Sequence, residues 1–498
     1  MKVIVAALAA ALLFGGAAFA QDGPLVRTTL GAVRGETRSD GTSVFRGMPF
    51  AEPPIGARRW RPPQPAATWR GVRVATSPGP ACAQNSYGWN EADARRSSED
   101  CLYLDVRTPR LGRRARLPVM VWIHGGSNRA GSGGDKVLAS FPLRGVVMVG
   151  VQYRLGAFGF LSHPELTAES SSHASGNYGL MDQVAALEWV RANIAAFGGD
   201  PRNVTIVGDS AGAQDVGLLL VSPLARGLFA KAIEESGTAQ FGWPTRSLRQ
   251  NEDIGRQLEH LLNAHSLADM RRASTAEILA ADLRMQSPTI TDQSYLWLQI
   301  AVDGRVLPAA PHDLFAAGLS ANAPLLIGSN ARELSLPGGN DHADAFMRMA
   351  FGPREQEARA LYNFAGPPDH RLGDAYEQLA TDVTFRCPVV ETARLHARAG
   401  RPVYQYQFDH TEPDGAAVHH SGELAFVYGD LPVAPDQPHV TMQAYWVNFA
   451  RTGDPNGAGL PHWPRFDLQH RGYIEFSDSG PRALADLRGA ACRLLPRL

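Results

Sequence analysis

The chain has 498 residues, 48 basic and 49 acidic side chains, a net charge of −1 and 44% hydrophobic residues. So even a balance, with no basic patch and no acidic tail, gives no support for a nucleic-acid or anionic-membrane partner. The length suits one large α/β domain or two smaller ones.

The N-terminus reads Lys2, an apolar run from Val3 to Phe14, then Ala18-Phe19-Ala20. That is the pattern of a secretory signal peptide over residues 1–20, cleaved after Ala20. The apolar run is shorter than the roughly 20 residues a spanning helix needs, and no other long apolar stretch follows. A soluble, exported chain with no stable membrane insertion is expected. Lysine occurs only at Lys2, Lys136 and Lys231, beside abundant Arg, Ala, Gly and Pro. That is the composition of a GC-rich bacterial genome, which points to the periplasm or the exterior. The four cysteines are Cys82, Cys101, Cys387 and Cys492. An even count in an exported chain favours two disulfides, with three pairings open. No Cys-x-x-Cys is present, so neither a zinc site nor a thioredoxin-like role is expected.

From Leu25 to Phe45, short alternating runs read as β-hairpins. Phe50-Ala51-Glu52-Pro53-Pro54 and the Pro-rich stretch to Pro65 are loop. Val119-Met120-Val121-Trp122-Ile123 and Val146 to Tyr153 are apolar throughout, as strands buried on both faces of a parallel sheet are. Between Tyr178 and Phe197, Leu180, Val184, Leu187, Val190, Ile194 and Phe197 recur at helical spacing. Asn203 to Val207 is a further buried strand. Later strands are read at Ala232–Ser236, Pro324–Gly328 and Val403–Phe408, and mainly helical segments at 247–283 and 354–397. Alternation of strand and helix implies right-handed crossovers and a doubly wound sheet. With no repeat, linker or charge block, residues 21–498 read as one domain with inserted helices.

The strand at Asn203–Val207 runs into Gly208-Asp209-Ser210-Ala211-Gly212, and a small-residue, Leu-rich run follows. Strand, sharp turn and helix around Gly-x-Ser-x-Gly make a nucleophile elbow. Only residues without bulk at Gly208 and Gly212 let the two backbones approach, and the helix aims its N-terminus at the serine. Ser210 is the candidate nucleophile. A serine hydroxyl attacks only when a base takes its proton, and the base needs an acid to fix its tautomer and stabilise its charged form. In this fold the acid and then the histidine follow the serine.

Glu333, just beyond the strand ending at Gly328, is the candidate acid; from position alone, a surface glutamate paired with Arg332 is an equal reading. His420 is the candidate base, with His419 an adjacent rival and a metal-binding His pair a third reading that lacks a carboxylate or cysteine at ligand spacing. His124-Gly125-Gly126-Ser127 supplies a loop able to turn amides toward a developing oxyanion, and Ala211 supplies the amide after the nucleophile. Trp89, Phe241, Trp243, Tyr295 and Trp297 are candidate pocket walls. Asn203-Val204-Thr205 fits a glycosylation pattern but falls in the buried strand.

At Ser98-Glu99-Asp100-Cys101-Leu102-Tyr103-Leu104, Tyr153-Arg154-Leu155-Gly156-Ala157-Phe158-Gly159-Phe160, Gly176 to Gln183 and Phe197-Gly198-Gly199-Asp200-Pro201, the chain resembles the type-B carboxylesterases. These are the cholinesterase and carboxylesterase family of α/β-hydrolases, and the motifs run in order from about Val26 to Cys492. The resemblance implies an α/β-hydrolase fold, a small-molecule ester substrate, serine chemistry and no cofactor or metal. It implies Glu333 as the acid and His420, not His419, as the base, because Glu423 to Gly429 fixes the register. It implies Gly126, Ser127 and Ala211 as oxyanion amides, and Ser236 as a serine supporting the acid. It also implies disulfides Cys82–Cys101 and Cys387–Cys492, and structural ion pairs Arg59–Glu99 and Arg154–Asp182.

Three positions depart from the family pattern. Asp209 stands where Glu is usual, Ser127 where a third glycine is usual, and Ala331-Arg332-Glu333-Leu334 lacks the acidic residue before the glutamate and the glycine after it. Two alternatives remain. An esterase of the hormone-sensitive-lipase type shares His-Gly-Gly and Gly-Asp-Ser-Ala-Gly, but such chains are much shorter and lack the Ser-Glu-Asp-Cys-Leu stretch. A non-catalytic, neuroligin-like binding protein would have lost the serine. The sequence specifies neither an oligomeric state nor which ester is natural.

Overall fold

The computed structural model describes residues 23–134, 136–241, 245–285, 300–336, 338–411, 415–429 and 442–495. The segment expected to be a signal peptide (residues 1–20), Trp243, Tyr295 and Trp297 lie outside the described residues. An 11-stranded sheet organises the rest. Its strands are β1 (Glu36–Thr37), β2 (Ser43–Pro49), β3 (Tyr103–Thr108), β4 (Leu117–Ile123), β5 (Val147–Val151), β6 (Gly199–Asp209), β7 (Lys231–Glu235), β8 (Leu325–Asn330), β9 (Val403–Asp409), β10 (Gly472–Ser477) and β11 (Gly480–Ala485). In space they run β11-β10-β9-β8-β7-β6-β4-β5-β3-β2-β1. The central strands pair in parallel, and both edges are antiparallel. This is the α/β-hydrolase sheet.

The hairpin reading of the N-terminal region needs one refinement. Leu25–Arg27 and Ala32–Arg34 do pair as a hairpin, but with Val72–Val74 they form a separate three-stranded sheet. Only β1 and β2 join the large one. Alternation could not have told these apart, because it reports which face is buried and not which strand lies alongside.

The central strands are apolar throughout because they feed two cores. Val119, Val121, Ile123, Val204 and Ile206 point into one cluster, with Leu180, Val184 and Leu187 of helix α1 (Tyr178–Asn193) and Val216, Leu219 and Leu220 of helix α2 (Ala211–Val221). Met120, Trp122, Val207, Ile233 and Leu326 point the other way. There they meet helix α4 (Met442–Thr452) through Met442, Tyr445, Trp446 and Phe449. Helix α3 (Cys387–Arg398) closes the first face and is preceded by a π-helical turn at Asp382–Arg386.

Two disulfides, Cys82–Cys101 and Cys387–Cys492, close loops of 19 and 105 residues, contributing about 3 and about 5 kcal/mol in the loop-entropy account. The ion pairs Arg59–Glu99 (2.6 Å) and Arg154–Asp182 (2.7 Å) are both present and buried.

Candidate active site

β6 ends at Asp209 and α2 begins at Ala211, so Ser210 carries the whole reversal of the chain. Its backbone sits at φ 57° and ψ −122°, a region costly for a non-glycine residue and typical of functional turns. The surrounding contacts hold it there. Ser210 N–H donates to Glu235 O (2.8 Å) at the end of β7, and Gln214 N–H donates to Ser210 O (2.9 Å). The glycines are required by distance: a methyl group at Gly208 would lie 2.4 Å from the Gly212 carbonyl carbon, and one at Gly212 would lie 2.1 Å from Ile123 O.

The loop after β4 lies directly against the elbow. A methyl group at Gly125 would fall 3.1 Å from Ser210 Cβ. Gly126 (φ 101°), Ser127 (φ 57°) and Asn128 (φ 56°) all take left-handed backbone conformations. Ser127 thus adopts the conformation a glycine would, and a buried network anchors the next residue. Asn128 Nδ2 donates to Asp215 Oδ1 (3.0 Å) on α2, and Gln183 Nε2 to Asp215 Oδ2 (2.5 Å). Gly156 N–H donates to Asn128 O (2.7 Å). The amides of Gly126, Ser127 and Ala211 donate to no other group among the described residues.

His124 is buried and stacked on Tyr153 at 4.5 Å, and burial pushes its pKa down to about 4. It is therefore neutral across the physiological range.

Glu333 follows β8. Its side chain is fully buried and paired with His420, whose Nδ1–H donates to Glu333 Oε2 at 2.6 Å. The other oxygen, Oε1, accepts from Asn330 N–H (2.7 Å). Glu333 N–H donates to Thr381 Oγ1 (3.1 Å), just before the π-helical turn. Arg332 turns away and pairs with Glu377, so the surface-pair reading of Glu333 does not hold. Burial alone would lower the His420 pKa, but the bond to and charge of Glu333, with the charges of Asp209 and Glu423, outweigh it and raise the pKa to about 9. The site is thus built to hold an imidazolium.

Phe385, carried by the π-helical turn, packs against the imidazole at 5.0 Å and against Phe241 at 5.4 Å. Phe385 was absent from the sequence reading, and no motif marks it. Trp89 is 66% exposed, and its ring edge covers Gly126: a methyl group added there would lie 3.0 Å from Cη2.

Ser236, at φ 50°, donates from Oγ to Glu423 Oε1 (2.9 Å), not to Glu333. Asn330 Nδ2 donates to Glu423 Oε2 (2.7 Å), and the same Asn330 binds Glu333 through its backbone. Ser236 therefore reaches the acid through Glu423 and Asn330. The position of Glu423 was read only as part of a register marker. Burial, then repulsion from Asp209 and Glu333, raises its pKa to about 8.

Among the described residues, elbow and base loop are joined by one hydrogen bond: Ser421 Oγ donates to Asp209 Oδ2 at 2.7 Å. Ser210 and His420 are the immediate neighbours of those two residues. The Ser210 hydroxyl itself makes no hydrogen bond among the described residues. Nucleophile–base contacts in unliganded hydrolases are often long and tighten only with substrate.

The Carboxylesterase family model matches residues 22–494. The chain belongs to the carboxylesterase family.

Liver carboxylesterase of Sus scrofa is 36% identical, over 91% of this chain and 89% of its own length. The medium-chain fatty acyl-CoA hydrolase precursor of Anas platyrhynchos is also 36% identical, over 91% and 88%. Among solved structures, a PNB esterase superposes with a TM-score of 0.81 at 33% identity, covering 95% of this chain and 99% of that one. A Geobacillus stearothermophilus carboxylesterase gives 0.81 at 32%, covering 95% and 100%. This carboxylesterase is therefore a carboxylic ester hydrolase. A match spanning the chain leaves no place for the shorter hormone-sensitive-lipase type.

Proposed function

We propose that this carboxylesterase works by a Ser210–His420–Glu333 triad through an acyl-enzyme intermediate. Ser210 Oγ attacks the ester carbonyl carbon, and its proton passes to His420 Nε2. Glu333 keeps the other ring nitrogen, Nδ1, as the donor and stabilises the imidazolium. The carbonyl oxygen becomes an oxyanion held by the amides of Gly126, Ser127 and Ala211, each worth roughly 3 kcal/mol in the transition state. His420 then protonates the departing alcohol, leaving an acyl ester on Ser210. Water, deprotonated by His420, attacks that ester, and collapse releases the carboxylic acid and returns the proton to Ser210.

The observation that carries this reading is the 2.6 Å bond from His420 Nδ1 to buried Glu333, on a loop hydrogen-bonded to the strained elbow. Phe385, packed on the imidazole, and Phe241 beside it favour a small ester carrying an apolar group. The name of the Anas platyrhynchos relative extends the candidates to acyl thioesters. Two disulfides fit an oxidising compartment. They support export directed by residues 1–20, with residues 21–498 acting as one domain. Among the described residues no helix is long and apolar enough to cross a membrane.

The test compares two adjacent histidines on an aryl ester. His420→Ala is expected to lose on the order of 10⁶-fold in kcat, while His419→Ala keeps most of it. A dead His419→Ala beside an active His420→Ala would reject the assignment.

A further inference from the structure

We propose that Asp209 and Ser421 are positioning residues, forming a clamp that sets the separation between nucleophile and base. The inference rests on the triad reading above. Asp209 immediately precedes Ser210, Ser421 immediately follows His420, and their 2.7 Å bond joins positions 212 apart in the chain. Each catalytic side chain is thus one residue from the same hydrogen bond, while the two make no hydrogen bond to each other in this conformation.

Two features mark the bond as built for this purpose. Ser421 stands at φ 65°, where glycine would sit without strain and a serine is retained at a conformational cost. The hydroxyl is what the strained position contributes. Asp209 is 6% exposed, its Oδ1 is buried without a hydrogen-bond partner, and Oδ2 has only Ser421 among the described residues. A buried carboxylate held by one neutral donor is poorly compensated, so its presence needs a role beyond packing.

The charged and titratable groups around Asp209 come from several elements. His420 and Lys136 attract its charge; Glu333, Glu423 and Glu235 repel it, and the phenols of Tyr406 and Tyr428 also feel it. The clamp thus carries two separable effects. The hydroxyl fixes distance, and the carboxylate charge favours protonated His420.

The experiment uses the full-length enzyme and an aryl ester. Ser421→Gly removes the hydroxyl and relieves the left-handed strain together. It is expected to lower kcat about 10-fold, since displacements near 1 Å can cost on the order of 100-fold. KM should change little and Tm should hold or rise, the opposite of what a merely structural serine would give. Asp209→Asn still offers an oxygen to Ser421, so it should retain more kcat than Asp209→Ala. It should also move the acid limb of kcat/KM to lower pH, because His420 loses a neighbouring negative charge. The double variant Asp209→Ala/Ser421→Gly should be no slower than Asp209→Ala, as expected for residues acting through one bond.

Unchanged kcat in Ser421→Gly, or losses that multiply in the double variant, would overturn the clamp. Labelling of Ser210 by a fluorophosphonate separates the two levels. Failure to label the native enzyme would overturn the triad and the clamp together. A labelled but fully active Ser421→Gly would overturn the clamp alone.

Discussion

Arg154 and Asp182 are buried face to face in a two-bond ion pair, whereas Asp209, Glu333 and Glu423 are buried around one imidazole. No arginine or lysine hydrogen-bonds any of those three acids among the described residues. In the first region opposite charges cancel, and Arg154 spends its remaining donor capacity on Arg61 O at 2.8 Å. In the second, like charges crowd together. Burial raises Asp209 to about 6 and Glu423 to about 8; His420 relieves them, with Lys136 adding a smaller attraction at Asp209. Both regions bury charge in a low-dielectric interior, where it is costly unless compensated. One pairs each charge with its opposite to fix a loop against α1, although burial outweighs Arg154 and still holds Asp182 above its ordinary carboxylate range; the other gathers like charges around a single imidazole, whose proton offsets them.

If that contrast is right, the two regions fail differently. Glu333→Gln should lose on the order of 10⁴-fold in kcat, as when a triad acid is neutralised and the histidine tautomer is no longer fixed, while unfolding by urea stays near native. Arg154→Ala should do the reverse. It strands Asp182 and should cost about 3–5 kcal/mol of stability, with kcat per folded molecule preserved. An active, unstable Glu333→Gln would break the comparison.

A smaller effect follows from proton linkage. His420 binds its proton more tightly in the fold (about 9, against 6.5), so its stabilisation is complete below about pH 6.5 and is lost as pH rises toward 9. Asp209 and Glu423 also bind protons more tightly folded, so stability is lost as pH rises from 3.8 to about 6 through Asp209 and from 4.5 to about 8 through Glu423. Asp215, Glu234 and Asp282, raised by burial to about 7, 8 and 7, act in the same direction. Tm should therefore fall from mildly acid to alkaline pH while kcat/KM rises as His420 becomes neutral. Each kcal/mol is worth on the order of 2 °C in a chain of this size. Glu423→Gln should flatten the fall, and a Tm that rises with pH would contradict the cluster as described.

The elbow was legible in the sequence because each of its residues answers a hard constraint. Gly208 and Gly212 stand where a methyl group would collide with backbone, and apolar β-branched residues mark the strand before them. The two cores were legible for the same reason, since strands covered on both faces need no polar side. The acid was much less so. Position beyond a strand made Glu333 a candidate only on even terms with a surface glutamate, and family resemblance favoured it, because the bonds from Asn330 and to Thr381 that fix its loop leave no mark in the sequence.

Ser421, Asn128 and Phe385 were not legible. Ser421 holds left-handed backbone that nothing in a serine announces, Asn128 is of a type that tolerates it but lies in no marked turn, and Phe385 depends on a π-helical turn set by packing. Ser236 shows the remaining gap: resemblance brought it to the acid's neighbourhood, while the actual chain of bonds runs through Glu423 and Asn330.

Mass spectrometry of the enzyme after reaction with a fluorophosphonate tests the central claim most directly. One adduct per chain, on the peptide bearing Ser210, with parallel loss of ester hydrolysis and no adduct in Ser210→Ala, is the expected result. Full ester hydrolysis by Ser210→Ala, or an adduct on a different residue, would contradict it.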